Sequence, residues 1–433
     1  ILLFFTVISE TLFKFVLIIP FLLIFKFKVF DFLFFFIKSN NSAILLALII
    51  GFVKILYIYI LMSLNKNTGI LIDRAINELR TGRPIVINER KNFWIFYNIE
   101  HAKKNIVNQF NKIQEKESFL LITKQKAKQL ISNKINTDVY FKVSQNFNLT
   151  KFQELFLNPI KKSNILNFKK IESERSKKFH KFVLELSKNA KLIPALIFKK
   201  INHKDKKNID DVLYQMGLMQ FDYLDLANQN QHISDSIKLI SSANVPLPYV
   251  ENSSFKIFKS YIGSQQHMAI IINPKKIKTT TNLRIHSACF TGDIFHSLKC
   301  DCGEQLNNSI TYMSKNNGGI ILYLDQEGRG IGLANKMRAY SLQSKGLDTV
   351  DADHNIGFFE DERDFNVATK ILSILGIKNV NIITNNPLKM SAIKKGGIKI
   401  KNQINTKPTI NKFNKNYFKT RVKKTSYKLK IAV

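Results

Sequence analysis

The sequence predicts a two-domain α/β protein of mixed α+β character, on three observations. A helical period that sets Ile72, Ala75, Ile76 and Leu79 on one face runs into Thr81-Gly82-Arg83-Pro84 and the buried strand Ile85-Val86-Ile87. The strand Gly319–Leu324 leads into a glycine-rich turn and a helix through Asn335, Arg338 and Leu342. A strand at 380–383 runs into Thr384-Asn385-Asn386-Pro387 and a helix carrying Lys389. With 433 residues, 45% hydrophobic and 23% charged, the chain has the length for two or three domains and is too apolar to remain disordered. Three cysteines exclude a disulfide-stapled secreted module.

Residues 1–61 form an apolar extension, with 13 of the 35 phenylalanines and seven charged residues. The stretch 43–61 is apolar apart from Lys54 and is long enough to cross a bilayer at about 1.5 Å per residue. Shorter apolar runs cover 15–25 and 27–37, and the pattern does not fit a signal peptide. A second reading rests on the first methionine, Met62, which opens an ordinary cytosolic start, Met62-Ser63-Leu64-Asn65-Lys66. On that reading, adopted here, 1–61 is translated upstream sequence or a dispensable extension. The protein is then cytoplasmic, and membrane contact follows only if 1–61 belong to it.

The formal charge of 66 − 32 = +34 raises nucleic acid as a partner. Between Arg284 and Ile400, however, there are 14 Lys/Arg and 12 Asp/Glu, a surplus of +2. The remaining charge is Lys scattered among Asn and Ile, which reads as coding bias. No nucleic-acid partner is expected.

A first domain, 62–253, alternates helical and strand-like pieces, including an apolar face at Phe182, Leu186 and Leu192 and a strand at 194–198. His180 and His203 stand isolated and read as satisfied or surface residues. A second domain, 254–433, carries the chemistry. All three cysteines, Cys289, Cys300 and Cys302, fall within fourteen residues. Three thiolates occupy three corners of a tetrahedral zinc and leave the fourth for water, the mark of a catalytic site. Three buried structural thiols, or a structural zinc with His286 or His296 as fourth ligand, are the alternatives at this point.

Gln326-Glu327-Gly328-Arg329-Gly330-Ile331-Gly332 follows its strand where backbone N–H groups can meet phosphate, with Arg329 as a fork-shaped donor. Its glycines match neither the dinucleotide fingerprint nor the P-loop, so a plain tight turn competes with that reading. Glu360-Asp361-Glu362-Arg363-Asp364 precedes a helix at 365–375 and reads as a site loop or as helix capping. Strand ends delivering polar residues to one rim are how open α/β sheets build ligand sites. Residue chemistry alone reaches hydrolysis of a phosphorylated, ring-bearing substrate.

Five blocks, Arg284-Ile-His-Ser-Ala-Cys289-Phe-Thr-Gly-Asp293, Lys299-Cys-Asp-Cys-Gly303, the Gln326–Gly332 loop, Asp361-Glu-Arg-Asp-Phe365 and Thr384-Asn-Asn-Pro387, resemble GTP cyclohydrolase II in order and spacing over roughly 255–410. The resemblance implies opening of the guanine imidazole ring of GTP with release of formate and pyrophosphate, the first step toward riboflavin. It implies that Cys289, Cys300 and Cys302 hold one zinc ion per subunit, which activates the water that attacks C8. Arg284, Ile285, His286, Ser287, Ala288, Gln305, Glu327, Gly328, Arg329, Thr349, Thr384 and Lys389 would bind GTP, with magnesium on its phosphates. Asp361 would accept a proton, Arg363 would meet the α-phosphorus as nucleophile or as electrostatic clamp, and Tyr340 would lie beside the same chemistry. A homodimer is expected. The chain departs from the family at Ala288, where Glu is usual, and at Asp325, which would set a negative charge near phosphate. The tail from about 403 is Lys- and Asn-rich, with only 411–417 similar to the family's ending.

Residues 70–250 more faintly resemble dihydroxybutanone phosphate synthase. Its acid-rich metal loop would be Asn88-Glu89-Arg90-Lys91-Asn92-Phe93, with one carboxylate, and its Gly-His-Thr-Glu motif falls near 178–181, which reads Lys-Phe-His-Lys. A catalytically silent domain is expected. A bifunctional enzyme and a non-catalytic GTP-binding regulator are the competing readings.

Overall fold

Among the described residues, two seven-stranded sheets, each covered by helices on both faces, organise the fold. The computed structural model describes residues 68–424 apart from 90–91, 102–116, 144–148, 161–173, 176–177, 203–210, 212–213, 215–216 and 278. The extension 1–61 and His203 lie outside the described residues. Among the described residues no helix is long and apolar enough to cross a membrane.

The first sheet contains β1 (Ile85–Glu89), β2 (Asn92–Asn98), β3 (Ser118–Ile122), β4 (Val139–Val143), β5 (Glu174–Arg175), β6 (Ala195–Asn202) and β7 (Met219–Asp222), in the order β5-β4-β3-β6-β2-β1-β7. Among the described residues of this sheet, the β1–β7 pairing alone is parallel. The apolar period read from sequence explains one covering layer. Ile72, Ala75, Ile76 and Leu79, on a helix at 68–80, are fully buried beside Phe179, Val183 and Leu186 of the helix Lys178–Asn189. Each of these side chains larger than Ala75 contributes roughly 1.5–3 kcal/mol of burial. Phe182, expected on that face, is half-buried and stacks on Tyr223. The opposite face takes Ala127 and Leu130 from Lys124–Leu130 and Phe156 from Leu149–Leu157.

The second sheet contains β8 (Lys238–Asn244), β9 (Ser253–Lys259), β10 (Gln266–Ile272), β11 (Thr281–Ser287), β12 (Gly319–Leu324), β13 (Asn379–Ile383) and β14 (Lys399–Ile404), in the order β14-β13-β11-β12-β10-β9-β8. It begins at Lys238, ahead of the boundary at 254 expected from sequence. The edge strand β8 reads Lys-Leu-Ile-Ser-Ser-Ala-Asn and is exposed throughout, so it lacks the apolar alternation that marks a strand. From β8 to β12 neighbours are antiparallel; β12, β11, β13 and β14 are parallel. Val367, Ile371 and Leu372 of Asn366–Ile374, with Ile393 of Pro387–Lys395, cover one face, and Met313 of Cys302–Lys315 covers the other. Parallel strands end on the same side, so the segments after β11, β12 and β13 share one rim.

Candidate metal and nucleotide site

Alternation along β11 sends Leu283 and Ile285 into the core and turns Arg284 and His286 to the cavity at the rim. Cys289 follows two residues after the strand. Asp293 holds this corner: its carboxylate accepts hydrogen bonds from the Cys289 N–H at 3.0 Å, the Tyr323 hydroxyl at 2.9 Å and His286 Nε2 at 3.1 Å. Cys302 opens the helix Cys302–Lys315, with Cys300 just before it. The three sulfurs lie within 4.8 Å of one another, and Cys289 Sγ to Cys300 Sγ is 3.7 Å. Zinc–sulfur bonds of about 2.3 Å at a tetrahedral centre set sulfurs about 3.8 Å apart, so these thiols fit zinc. Neither His286 nor His296 belongs to the converging group.

The approach is close enough to require glycine. A Cβ on Gly292 would lie 2.9 Å from Cys300 Sγ and 3.0 Å from Cys289 Sγ. Hydrogen bonds from Cys300 and Cys302, reinforced by Lys336, hold the Cys289 thiol far below its ordinary pKa. The neighbouring thiolate pushes Cys300 up to about 11.

Beside the cysteines opens a cavity of about 560 Å³. The glycine-rich turn after β12 has Gly328, Gly330 and Gly332 at φ of 62°, 96° and 90°, and Arg329 itself at 57°. This coil brings Arg329 to the wall, where Nη1 donates to the Glu360 carbonyl at 3.1 Å. Arg363 forks onto Asp361 through Nε at 2.7 Å and Nη2 at 2.5 Å, leaving Nη1 toward Ser287. Although burial opposes it, Arg363 holds Asp361 below the usual carboxylate range. The acidic cluster is only marginally a helix cap: Asp364 accepts from the Asn366 N–H, while Glu362 pairs with Lys188. At β13, Asn386 caps the helix Pro387–Lys395 and Lys389 Nζ donates to the Ile285 carbonyl at 2.6 Å. Arg284 donates to the Ile383 carbonyl at 3.1 Å and to Gln305 Oε1.

The cavity lining brings together Arg284, His286, Ser287, Ala288, Gln305, Glu327, Gly328, Arg329, Tyr340, Thr349, Arg363, Lys389 and the three cysteines. Three expected residues are not in it. Ile285 packs in the core and offers its carbonyl to Lys389; the Thr384 hydroxyl accepts the Asn386 N–H within its turn; Asp361 stands behind Arg363. Asp325, expected near phosphate, is exposed outside the lining and acts on Lys191.

Sequence reasoning missed Lys336, Asp353 and the helix Lys415–Lys424, whose Asn416, Tyr417, Lys419 and Thr420 complete the lining. The similarity at 411–417 was the available signal for the helix. Lys336 Nζ lies 3.2 Å from Cys289 Sγ. Burial lifts Asp353 to about 7.

The family model for GTP cyclohydrolase II matches residues 238–405. A GTP cyclohydrolase-2 of Vibrio cholerae is 45% identical over 177 residues, 40% of this chain and 88% of that protein. One from Psychromonas ingrahamii is 41% identical over 196 residues, 45% of this chain and 94% of that protein. The chain belongs to the GTP cyclohydrolase II family. A riboflavin biosynthesis protein RibBA of Endomicrobium trichonymphae is 40% identical over 208 residues, 48% of this chain and 51% of that protein. The chain therefore spans about half the length of some curated relatives it matches. The family match begins at Lys238, the first residue of β8, so the second sheet is the GTP cyclohydrolase II unit from edge to edge.

Proposed function

We propose that the chain opens the imidazole ring of GTP and releases formate and pyrophosphate. The observation that carries this reading is the convergence of three thiols beside a cavity walled by Arg284, Arg329, Arg363 and Lys389. Cys289, Cys300 and Cys302 hold zinc, which when bound supplies Lewis-acid activation of water near neutral pH. The triphosphate, with its magnesium, lies against the arginines and Lys389, which offset charge developing on the departing pyrophosphate. Arg363, with two of its donors committed to Asp361, clamps phosphate through Nη1. Burial keeps the Tyr340 hydroxyl protonated, so it serves as a donor. Free thiols and GTP as substrate favour the cytoplasm. Exposed Phe290, Ile294, Phe295 and Leu298 beside the metal corner favour a homodimer.

In the first domain, one carboxylate, Glu89, stands where the synthase reaction needs an acid-rich loop, and His180 is buried against Phe179 and Tyr140. These features support a silent domain over a bifunctional enzyme. The test supplies purified protein with zinc, magnesium and GTP and follows formate, pyrophosphate and the pyrimidine product, with Cys300→Ser alongside. Release of both small products, with ring opening lost in the variant, is expected. GTP bound without formate release in the zinc-loaded protein overturns the reading.

A further inference from the structure

We propose that the first domain is a buttress for the phosphate-side loops of the second, with Lys188 and Lys191 as positioning residues. The proposal rests on the cyclohydrolase reading for its kinetic arm alone.

Two loops carry the cationic wall: 326–332, with Arg329, and 357–364, with Asp361 and Arg363. They hold each other. The Glu362 N–H donates to the Arg329 carbonyl at 3.0 Å, and Gln326 Nε2 donates to the Asp364 carbonyl at 2.6 Å. A Cβ on Gly330 would strike the Glu362 carbonyl. What braces the pair from behind is the first domain. Lys188 Nζ reaches Glu362 at 2.9 Å, with both side chains largely buried. Lys191 Nζ donates to the Gly330 carbonyl at 2.7 Å, and Asn335 Nδ2 donates to the Lys191 carbonyl at 2.9 Å. Thr123 Oγ1 donates to the Gly357 carbonyl at 2.7 Å.

The corner is shaped for this contact. Lys191 sits at φ 63°, a left-handed conformation uncommon for lysine, and its side chain passes under Gly332, where a Cβ would lie 3.2 Å away. The contacts from Lys188, Lys191 and Thr123 fall on backbone carbonyls of the two loops or on the residue between Asp361 and Arg363. Removing one member of a buried pair leaves an uncompensated charge, so the loops would shift rather than merely soften. A 1 Å displacement of a phosphate clamp is enough to cost catalysis heavily.

The test compares the full chain with Lys188→Met and Lys191→Met by hydrogen exchange, zinc content and GTP kinetics. At least tenfold faster exchange across 326–332 and 357–364 is expected, with zinc content unchanged. kcat/KM for GTP should fall at least tenfold, and Lys188→Arg and Lys191→Arg should recover most of it. If a methionine variant fails to fold, Thr123→Val removes one brace without a buried charge and should raise exchange around Gly357. Wild-type exchange in these loops for all three variants overturns the proposal. Absence of GTP turnover in the wild type overturns the cyclohydrolase reading and leaves the exchange result to decide the buttress.

Discussion

The Lys336 ammonium lies 3.2 Å from the Cys289 sulfur and 2.8 Å from a Glu327 carboxylate oxygen. Burial works against its charge, and Glu327 with the Cys289 thiolate outweighs burial and raises its pKa. On the proposed zinc reading, a cation donating to this sulfur would tune the ligand from outside the coordination shell. Lys336→Met is expected to weaken zinc affinity about tenfold, the low end of the range for such partners. Competition with a chromophoric chelator measures it, and unchanged affinity would remove Lys336 from the metal site.

Gly292 admits no side chain, because its Cβ would stand 2.9 and 3.0 Å from two sulfurs, inside van der Waals contact. Gly292→Ala is expected to lower zinc stoichiometry well below that of the parent and to abolish ring opening. This turn contributes no strand to either sheet, so most of the far-ultraviolet circular dichroism should persist. Full zinc occupancy in the variant would show that the cysteine loop rearranges freely.

Arg363 binds Asp361 with two donors in a fork that lysine cannot reproduce. Arg363→Lys is expected to reduce kcat/KM for GTP about a hundredfold, close to 3 kcal/mol, through loss of the bidentate hold and its remaining phosphate donor. Steady-state kinetics decide it; a change under threefold would leave the pair a structural one.

His267 accepts the Asp325 N–H at Nδ1 and is buried, and burial followed by the Lys191 charge lowers its pKa from 6.5 to about 4. The folded state therefore resists protonation that the unfolded chain accepts below pH 6.5, and stability falls as pH drops from there toward 4. About 2 kcal/mol should be lost between pH 7 and pH 5. Chemical denaturation at the two pH values, with His267→Gln losing less, checks the sign and the residue.

Much of the site was legible in sequence because it is built from contiguous segments at strand ends. The cysteine spacing, the glycines needed at positive φ around Arg329, and Asn386 before Pro387 are each read from a few neighbouring residues. Alternation along β11 already separates Leu283 and Ile285 from Arg284 and His286. Asp325 stands outside the cavity lining: adjacency to Gln326 in sequence does not fix which way its side chain points.

The sequence by itself determined the α/β character, the apolar faces, the cysteine trio and the family, since all of these rest on local spacing and residue chemistry. Tertiary structure alone decided that Lys336 meets Cys289, 47 residues away in sequence, and that Lys188 meets Glu362, 174 residues away. It likewise decided that the exposed strand β8 starts the second sheet and that the terminal helix Lys415–Lys424 lines the cavity. Such contacts follow from how sheets, helices and domains pack, and no periodicity or motif in the chain encodes a partner that distant.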